Sequence, residues 1–241
     1  MLLLIRSQTY NMLMYLSIFV IGLACAPMAY FKKNGTQYGI QGFTKVNRWL
    51  LKHICKIEYE VRGDIPTGPC IILSKHMNFL DIVMLGSSVP QPKFVMKHSL
   101  KYVPILGFYA KAIGSAPVYR GSKEATQRMI NDLEDNKHRN EDGQLIVYPQ
   151  GTRVLPHVKM PYKSGAWRLY DGMNVPCYLA ATNAGVVWAR KSAYRYPGKV
   201  ILEFLPERIE PGMDKDEFMA IVSERIEVRS DELMAEYPAQ K

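Results

Sequence analysis

Several patterns that would place this chain in a common functional class are absent from its sequence. The four cysteines form no Cys-x-x-Cys pair and no spacing typical of a metal site, which predicts buried, reduced thiols and no bound metal. No Gly-x-Ser-x-Gly motif is present, so no serine nucleophile for a covalent intermediate is recognisable. With 241 residues, 48% of them hydrophobic, the chain is long enough for one α/β domain and an additional element.

Acidic residues are scarce in the first half of the chain. Residues 1–123 contain fifteen Lys and Arg but only four Asp and Glu, whereas residues 201–241 contain five and eleven, respectively. The net charge of +9 is therefore concentrated toward the N-terminus. Such an asymmetry favours a basic face that binds an anionic partner, either lipid headgroups, nucleic acid or an acidic carrier protein.

Charge is also absent from a long N-terminal segment. No charged residue lies between Arg6 and Lys32, and residues 12–31 form a nearly continuous apolar run, which is long enough to span a bilayer core. A cleaved signal is disfavoured because the run continues past Ala24-Cys25-Ala26. Pro27 is expected to kink or end the helix, so a re-entrant insertion stays open beside a full span.

Basic residues follow this segment. Six Lys and Arg within residues 32–56 favour a cytoplasmic position for the chain that follows. Within residues 43–57, Val46, Trp49, Leu50 and Ile54 recur near helical spacing with basic residues between them. This pattern predicts an amphipathic helix, which can lie on a membrane surface or pack on the domain. We expect residues 1–56 to form a membrane-anchoring helical region and residues 57–241 to form an α/β domain.

From residue 57 onward, short β-rich runs alternate with helical patterns, which is typical of an α/β fold with a mostly parallel central sheet flanked by helices. The predicted strands are 57–62, 70–74, 93–96, 115–119, 144–148, 175–181 and 199–205, and the predicted helices are 79–88, 104–112, 122–138, 164–171 and 214–236.

A histidine and an aspartate follow the second predicted strand, in the sequence Ser74-Lys75-His76-Met77-Asn78-Phe79-Leu80-Asp81. Ligands of open α/β sheets bind at the carboxyl ends of strands, which is where His76 is expected. Asp81 falls in the first turn of the next helix, from which its carboxylate can orient the imidazole. With an ordinary pKa of about 6.5, a histidine suits a general base. The plainer alternative is a capping aspartate beside a surface histidine.

Cations occupy other strand ends. Gly151-Thr152-Arg153 follows the apolar run 145–147, where glycine permits close backbone approach and the arginine fork matches a phosphate. Lys97 and Arg120 lie at comparable positions after other predicted strands. Each alone is readily explained as a solvated surface charge, but the three together predict an anion pocket beside the base.

These segments together resemble the glycerolipid acyltransferase family, and within it the bacterial 1-acyl-glycerol-3-phosphate (lysophosphatidate) acyltransferases. His76 to Asp81 match the catalytic His-x4-Asp motif, and residues 118–120 match a block that usually reads Phe-Ile-Asp-Arg. Residues 149–153 match the usual Pro-Glu-Gly-Thr-Arg, and residues 175–178 match a Val-Pro block. The chain departs from the family at Tyr119 and Gln150, where acids are usual.

The resemblance implies transfer of a fatty acyl group from acyl-ACP or acyl-CoA to the sn-2 hydroxyl of lysophosphatidate, without a cofactor. His76 would be the catalytic base and Asp81 its orienting partner. The implied location is the inner membrane, with the catalytic domain on its cytoplasmic face. Membrane lipids, a lysolipid acceptor and the acyl carrier would be the partners, whereas the membrane segment argues against nucleic acid. The implied residues for the acceptor phosphate are Lys97, Arg120, Gly151, Thr152 and Arg153.

Three alternatives stay open at this level. A relative could act on another lysolipid, such as a lyso-ornithine lipid; a thioesterase or lipid hydrolase would use water as the acceptor; and a silent module would only bind membranes. Gln150 bears on the first and the last, because glutamine keeps the shape of glutamate but lacks its charge.

Overall fold

Helices and strands alternate from residue 57 onward in the computed structural model, which describes residues 1–32, 35–118, 127, 131 and 143–238. The strands of this part of the chain are β1 (Ile57–Arg62), β2 (Cys70–Ser74), β3 (Pro92–Lys97), β4 (Ala116–Val118), β5 (Gln144–Val147), β6 (Cys177–Thr182) and β7 (Gly198–Ile209). The α-helices of the described residues are α1 (Leu2–Phe31), α2 (Gly35–Leu50), α3 (Phe79–Ser88), α4 (Leu106–Ala112), α5 (Gly165–Met173), α6 (Ala184–Val187) and α7 (Lys215–Glu236), and a 3-10 turn covers His98–Tyr102. The helix predicted over 122–138 lies largely outside the described residues.

The strands form one sheet in the order β1-β7-β6-β2-β5-β3-β4. The five strands from β6 to β4 run parallel to their neighbours, whereas β7 pairs antiparallel with β6 and parallel with β1. The prediction of a mostly parallel sheet is therefore confirmed. Since parallel strands end at the same edge, the loops after β2, β5 and β3 lie side by side.

Both faces of the sheet are covered, which explains why its central strands are mostly apolar, with polar residues at their ends. Ile72 and Ile146 point into a core shared with Met84 of α3. Their neighbours on the strands, including Leu73, point to the opposite face, where Phe218 of α7 packs. The loops at the carboxyl edge thus rest on a sheet that is buried on both sides.

The first half of α1 packs against the domain. Tyr10 and Met14 are buried in the same core as Ile72. The Tyr10 hydroxyl donates a hydrogen bond of 2.9 Å to Asn47 Oδ1 of α2, and the Arg195 guanidinium donates one of 2.9 Å to Asn11 Oδ1. The opposite face is apolar and exposed, with Leu16, Phe19, Val20 and Leu23 on it. Within the described chain, α1 is the helix long and apolar enough to cross a membrane.

Pro27 does not end the helix. We expected the proline to kink or end the helix, yet α1 continues four residues further, to Phe31. Proline removes only its own N–H from the ladder, and the next turn closes regularly, because the Lys32 amide bonds the Met28 carbonyl at 3.0 Å.

The predicted amphipathic helix is present, but it is divided. α2 ends at Leu50 and a turn of π-helix continues to Cys55. Leu50 and Leu51 are buried, whereas Val46 and Trp49 are exposed beside basic residues. The apolar residues therefore serve two surfaces, the domain core and the outside of the helix.

Truncation of Met14 to Ala should lower the free energy of unfolding by about 2–5 kcal/mol, because it leaves a cavity in the core shared by α1 and the sheet. Met12 is 63% exposed, and its truncation should change stability by less than about 0.5 kcal/mol. Denaturant unfolding in detergent micelles measures both values. Equal effects of the two substitutions would show that α1 does not pack as described.

Candidate functional site

His76 and Asp81 are in direct contact at the carboxyl end of β2. The His76 Nδ1 and Asp81 Oδ1 atoms lie 2.9 Å apart, the aspartate is fully buried, and the His76 side chain is 16% exposed. A carboxylate oxygen only accepts, so Nδ1 carries a proton, and in the neutral imidazole Nε2 keeps its lone pair. The expected contact between the two side chains is therefore present, and the role of His76 as a base stays a prediction.

The start of α3 explains how this pair forms. Asn78 caps the helix, since its Oδ1 accepts from the Leu80 amide at 2.7 Å. Asp81 Oδ2 reaches back to the Met77 and Asn78 amides at 2.7 and 2.9 Å. The two side chains form a capping box, which leaves Asp81 Oδ1 for the imidazole. One carboxylate therefore both caps the helix and contacts the imidazole, two arrangements that the sequence had left as alternatives.

The aromatic ring of Tyr148 lies against the imidazole of His76. Sequence reasoning did not single out this residue. Its ring stacks on His76 with centroids 4.2 Å apart and an angle of 18° between the planes. Burial raises the pKa of Tyr148 well above its ordinary value, and the charge of Asp81 adds to this, so the phenol stays neutral. Its place directly after β5, beside β2 in the sheet, was the available signal.

The turn after β5 lies against the His76 loop. The Val154 amide donates to the His76 carbonyl at 2.7 Å, which joins the two strand ends. Gly151 has φ +66°, a left-handed conformation that favours glycine. Thr152 is partly exposed and the Arg153 side chain is exposed to solvent. Gly151, Thr152 and Arg153 therefore lie in a turn beside the His76 loop.

Lys97 and Arg120 stand differently with respect to the site. Lys97 is exposed at the end of β3, which lies two strands from β2, or about 10 Å at ordinary strand spacing. Arg120 lies outside the described residues. The shared edge of the sheet thus includes Lys97, while the structure gives no position for Arg120.

Two further cations lie beside the turn and were not singled out from the sequence. A Cβ placed on Gly151 would be 3.0 Å from Lys163 Nζ, so this amino group lies against the turn. The Arg190 guanidinium donates to the Arg153 carbonyl at 3.0 Å. Lys163 and Arg190 lie in loops and not directly after a predicted strand, so the search for cations at strand ends did not find them. The surroundings of the turn are strongly basic.

A buried ion pair lies behind the site. Lys75, next to His76 and fully buried, has its Nζ atom 2.6 Å from Glu227 Oε2 of α7. Gln150 Nε2 donates to Glu227 Oε1 at 2.9 Å, and the Tyr162 hydroxyl donates to the same oxygen at 3.0 Å. Sequence reasoning noticed Gln150 but not its partner, because 77 residues separate them. Among the described residues, no group of His, Cys, Asp and Glu is placed to hold a metal ion.

Comparison with known protein families shows to which family the chain belongs. A sequence model described as Acyltransferase matches residues 56–181, which is more than half of the chain. The chain belongs to the acyltransferase family. The match includes His76, Asp81 and the turn at residues 149–153, so the resemblance seen in the motifs is confirmed.

Individual relatives agree with this assignment. The chain is similar to the 1-acyl-sn-glycerol-3-phosphate acyltransferase of Pseudomonas aeruginosa, with 26% identity over 96% of this chain and 91% of that protein. It is also similar to the lyso-ornithine lipid O-acyltransferase of that organism, with 31% identity over 45% of this chain and 42% of that protein. Its fold matches the crystal structure of the 1-acyl-sn-glycerophosphate acyltransferase PlsC from Thermotoga maritima, with TM-score 0.73, 20% identity, and coverage of 95% and 98% of the two chains.

Two substitutions of Asp81 should separate its two roles. Asp81→Asn keeps an oxygen for the backbone amides but allows the wrong imidazole tautomer, so acyl transfer should fall at least about 100-fold with little loss of stability. Asp81→Ala should lose the same activity and also about 1–3 kcal/mol of unfolding free energy, because two buried amides lose their acceptor. Initial rates and urea unfolding measure these effects. An Asn variant as active as the parent would contradict the orienting role.

Proposed function

We propose that this protein transfers a fatty acyl group from an acyl thioester, carried by acyl carrier protein or coenzyme A, to the free sn-2 hydroxyl of lysophosphatidate, forming phosphatidate. The observation that carries the proposal is the contact between His76 Nδ1 and Asp81 Oδ1 beside the basic turn at residues 149–153. These contacts support a site in which the imidazole Nε2 acts beside groups suited to a phosphate.

The proposed reaction is a direct transfer. His76 Nε2 removes the proton of the acceptor hydroxyl while that oxygen attacks the thioester carbonyl. The carbon–sulfur bond then breaks, and the thiolate takes the proton from the imidazolium. The buried Asp81 carboxylate stabilises the imidazolium between these steps. The base acts on the acceptor itself, so the proposed reaction requires no acyl-enzyme.

In this proposal the acceptor phosphate lies at the basic edge of the sheet. Arg153 offers a planar fork of donors, and Gly151, in its left-handed conformation, adds no side chain of its own to the turn. Lys97 and Arg120 complete the predicted phosphate set together with Thr152, and Lys163 lies close enough to the turn to contribute. Alignment of parallel strand ends supports the contribution of Lys97.

We further propose that α1 and α2 hold the catalytic domain on the cytoplasmic face of the inner membrane. The exposed side of α1 is apolar, and the exposed Trp49 lies among basic residues on α2, as expected for a helix at an anionic surface. The acceptor is a membrane lipid, so this placement keeps the site near its substrate.

A lyso-ornithine lipid is the second candidate acceptor. Two curated lyso-ornithine lipid O-acyltransferases are 31% and 32% identical to this chain, each over 45% of it. Gln150 in place of the usual glutamate also distinguishes this chain from the motif typical of lysophosphatidate acyltransferases. The same His76 chemistry would serve both acceptors.

Substitution of His76 by Ala should lower acyl transfer about 100- to 10,000-fold, because the reaction loses its base. Sedimentation with membranes should be unchanged. The matched control is His53→Ala, since His53 is exposed and contacts Trp49 rather than the site. Transfer at the parent rate by His76→Ala would exclude the assigned base.

The acceptor can be identified with a labelled acyl thioester, a panel of lysolipids and mass analysis of the products. With lysophosphatidate as substrate, Arg153→Ala should raise the acceptor KM about tenfold or more, and it should affect a lyso-ornithine lipid much less. Arg208→Ala, which changes an exposed arginine on β7, is the control. Equal effects on both acceptors would refute phosphate recognition by Arg153, and loss of thioester without an acylated lipid would indicate a hydrolase.

A further inference from the structure

One buried carboxylate joins three separate parts of the site. Glu227 of α7 accepts from Lys75 at 2.6 Å, from Gln150 at 2.9 Å and from Tyr162 at 3.0 Å. Lys75 precedes His76 directly, Gln150 precedes Gly151, and Tyr162 precedes Lys163. The donors thus come from the base loop, the basic turn and the segment that returns to the turn.

The cluster is expensive in free energy to bury. Lys75 is 0% exposed and Glu227 is 8% exposed, so both charged groups have lost nearly all of their hydration. Ion pairs of this kind typically stabilise a fold no more than apolar side chains of similar size would. Beyond packing, the carboxylate restrains geometry, because each of its three hydrogen bonds fixes the position of one donor side chain.

The amide of Gln150 matches this arrangement. Its Nε2 donates to Glu227, whereas its Oε1 is buried and makes no hydrogen bond to any residue that the structure describes. Burial and the adjacent carboxylate also raise the pKa of Tyr162, which therefore stays protonated and donates to Glu227. A glutamate at position 150 would set a second carboxylate against Glu227, with Lys75 as the shared cation. In this chain the carboxylate of the cluster therefore belongs to Glu227 on α7, and the turn contributes a neutral amide.

We propose that Glu227 is a positioning residue for acyl transfer. It holds Lys75 and Gln150 together, and through them it sets the distance between the His76 base and the Gly151-Thr152-Arg153 turn. The role rests on the proposed function, because the distance matters only if the base and the turn act on the same acceptor. Helix α7 thereby becomes part of the catalytic apparatus without touching the substrate.

The first test compares Glu227→Gln with Glu224→Gln, a control on the same helix one turn earlier and exposed to solvent. Glu227→Gln should lower kcat at least tenfold and raise the acceptor KM, while Glu224→Gln should change neither by more than twofold. Amide hydrogen exchange should become faster in peptides that cover residues 75–78 and 149–154, with the strands of the sheet unchanged. Unchanged kcat and exchange in Glu227→Gln would overturn the proposal.

A second variant separates positioning from stability. Lys75→Met combined with Glu227→Met replaces the ion pair by apolar side chains of similar volume but leaves the Gln150 amide and the Tyr162 hydroxyl without their acceptor, so the melting temperature should fall while the protein still folds. A positioning role predicts that this folded variant still loses at least tenfold in kcat. A folded variant with the parent kcat would show that the pair only fills space and would overturn the proposal.

A third variant covers the case in which the apolar pair fails to fold. Gln150→Glu combined with Glu227→Gln moves the carboxylate from α7 to the turn and keeps one counter-charge for Lys75. It should recover kcat to within about threefold of the parent, and recovery no better than Glu227→Gln alone would overturn the proposal. The rate of amide hydrogen exchange can be measured without any lysolipid substrate, so it does not depend on which lysolipid accepts the acyl group. If the parent protein transfers no acyl group to any lysolipid, the proposed function is refuted. If the two loops still exchange faster in Glu227→Gln than in the parent, the link made by Glu227 stands.

Discussion

The site depends on the three hydrogen bonds that a single buried carboxylate accepts. Asp81 holds the Met77 and Asn78 amides with one oxygen and the His76 imidazole with the other. The interaction that begins helix α3 is therefore also the one that selects the imidazole tautomer. An aspartate five residues after the histidine can do this because the loop between them is closed by the capping box.

The sheet supplies the second constraint. Parallel pairing of β2 with β5 brings the His76 loop beside the turn at residues 149–153, and the Val154 amide joins them through the His76 carbonyl. Behind this edge, Glu227 ties both loops to α7. Two buried carboxylates, each on a helix, thus hold the loops from opposite sides. The cations Arg153 and Lys97 are exposed at this edge, where the proposed acceptor phosphate would bind.

Much of the fold could be predicted from periodicity. The bounds of β1, β2 and α3 agree with the predicted 57–62, 70–74 and 79–88, because each segment has a strong local signal: an apolar run bounded by turns, or a cap followed by apolar spacing. The bounds of an element were predicted less well where the residues at its end carry no decisive signal. The helix passed through Pro27 and continued to Phe31, since the loss of one hydrogen bond does not end a long apolar helix.

By itself, the sequence determined the α/β class, the His76–Asp81 pair and the presence of a basic turn, because each depends on residues close together in the chain. Only the tertiary structure decided that Tyr148 stacks on His76 and that Glu227 bonds Gln150 across 77 positions. These contacts join residues from different elements, and no local pattern encodes which helix packs behind which loop. The missing acid at position 150 was visible in the sequence, but the carboxylate facing it was visible only after folding.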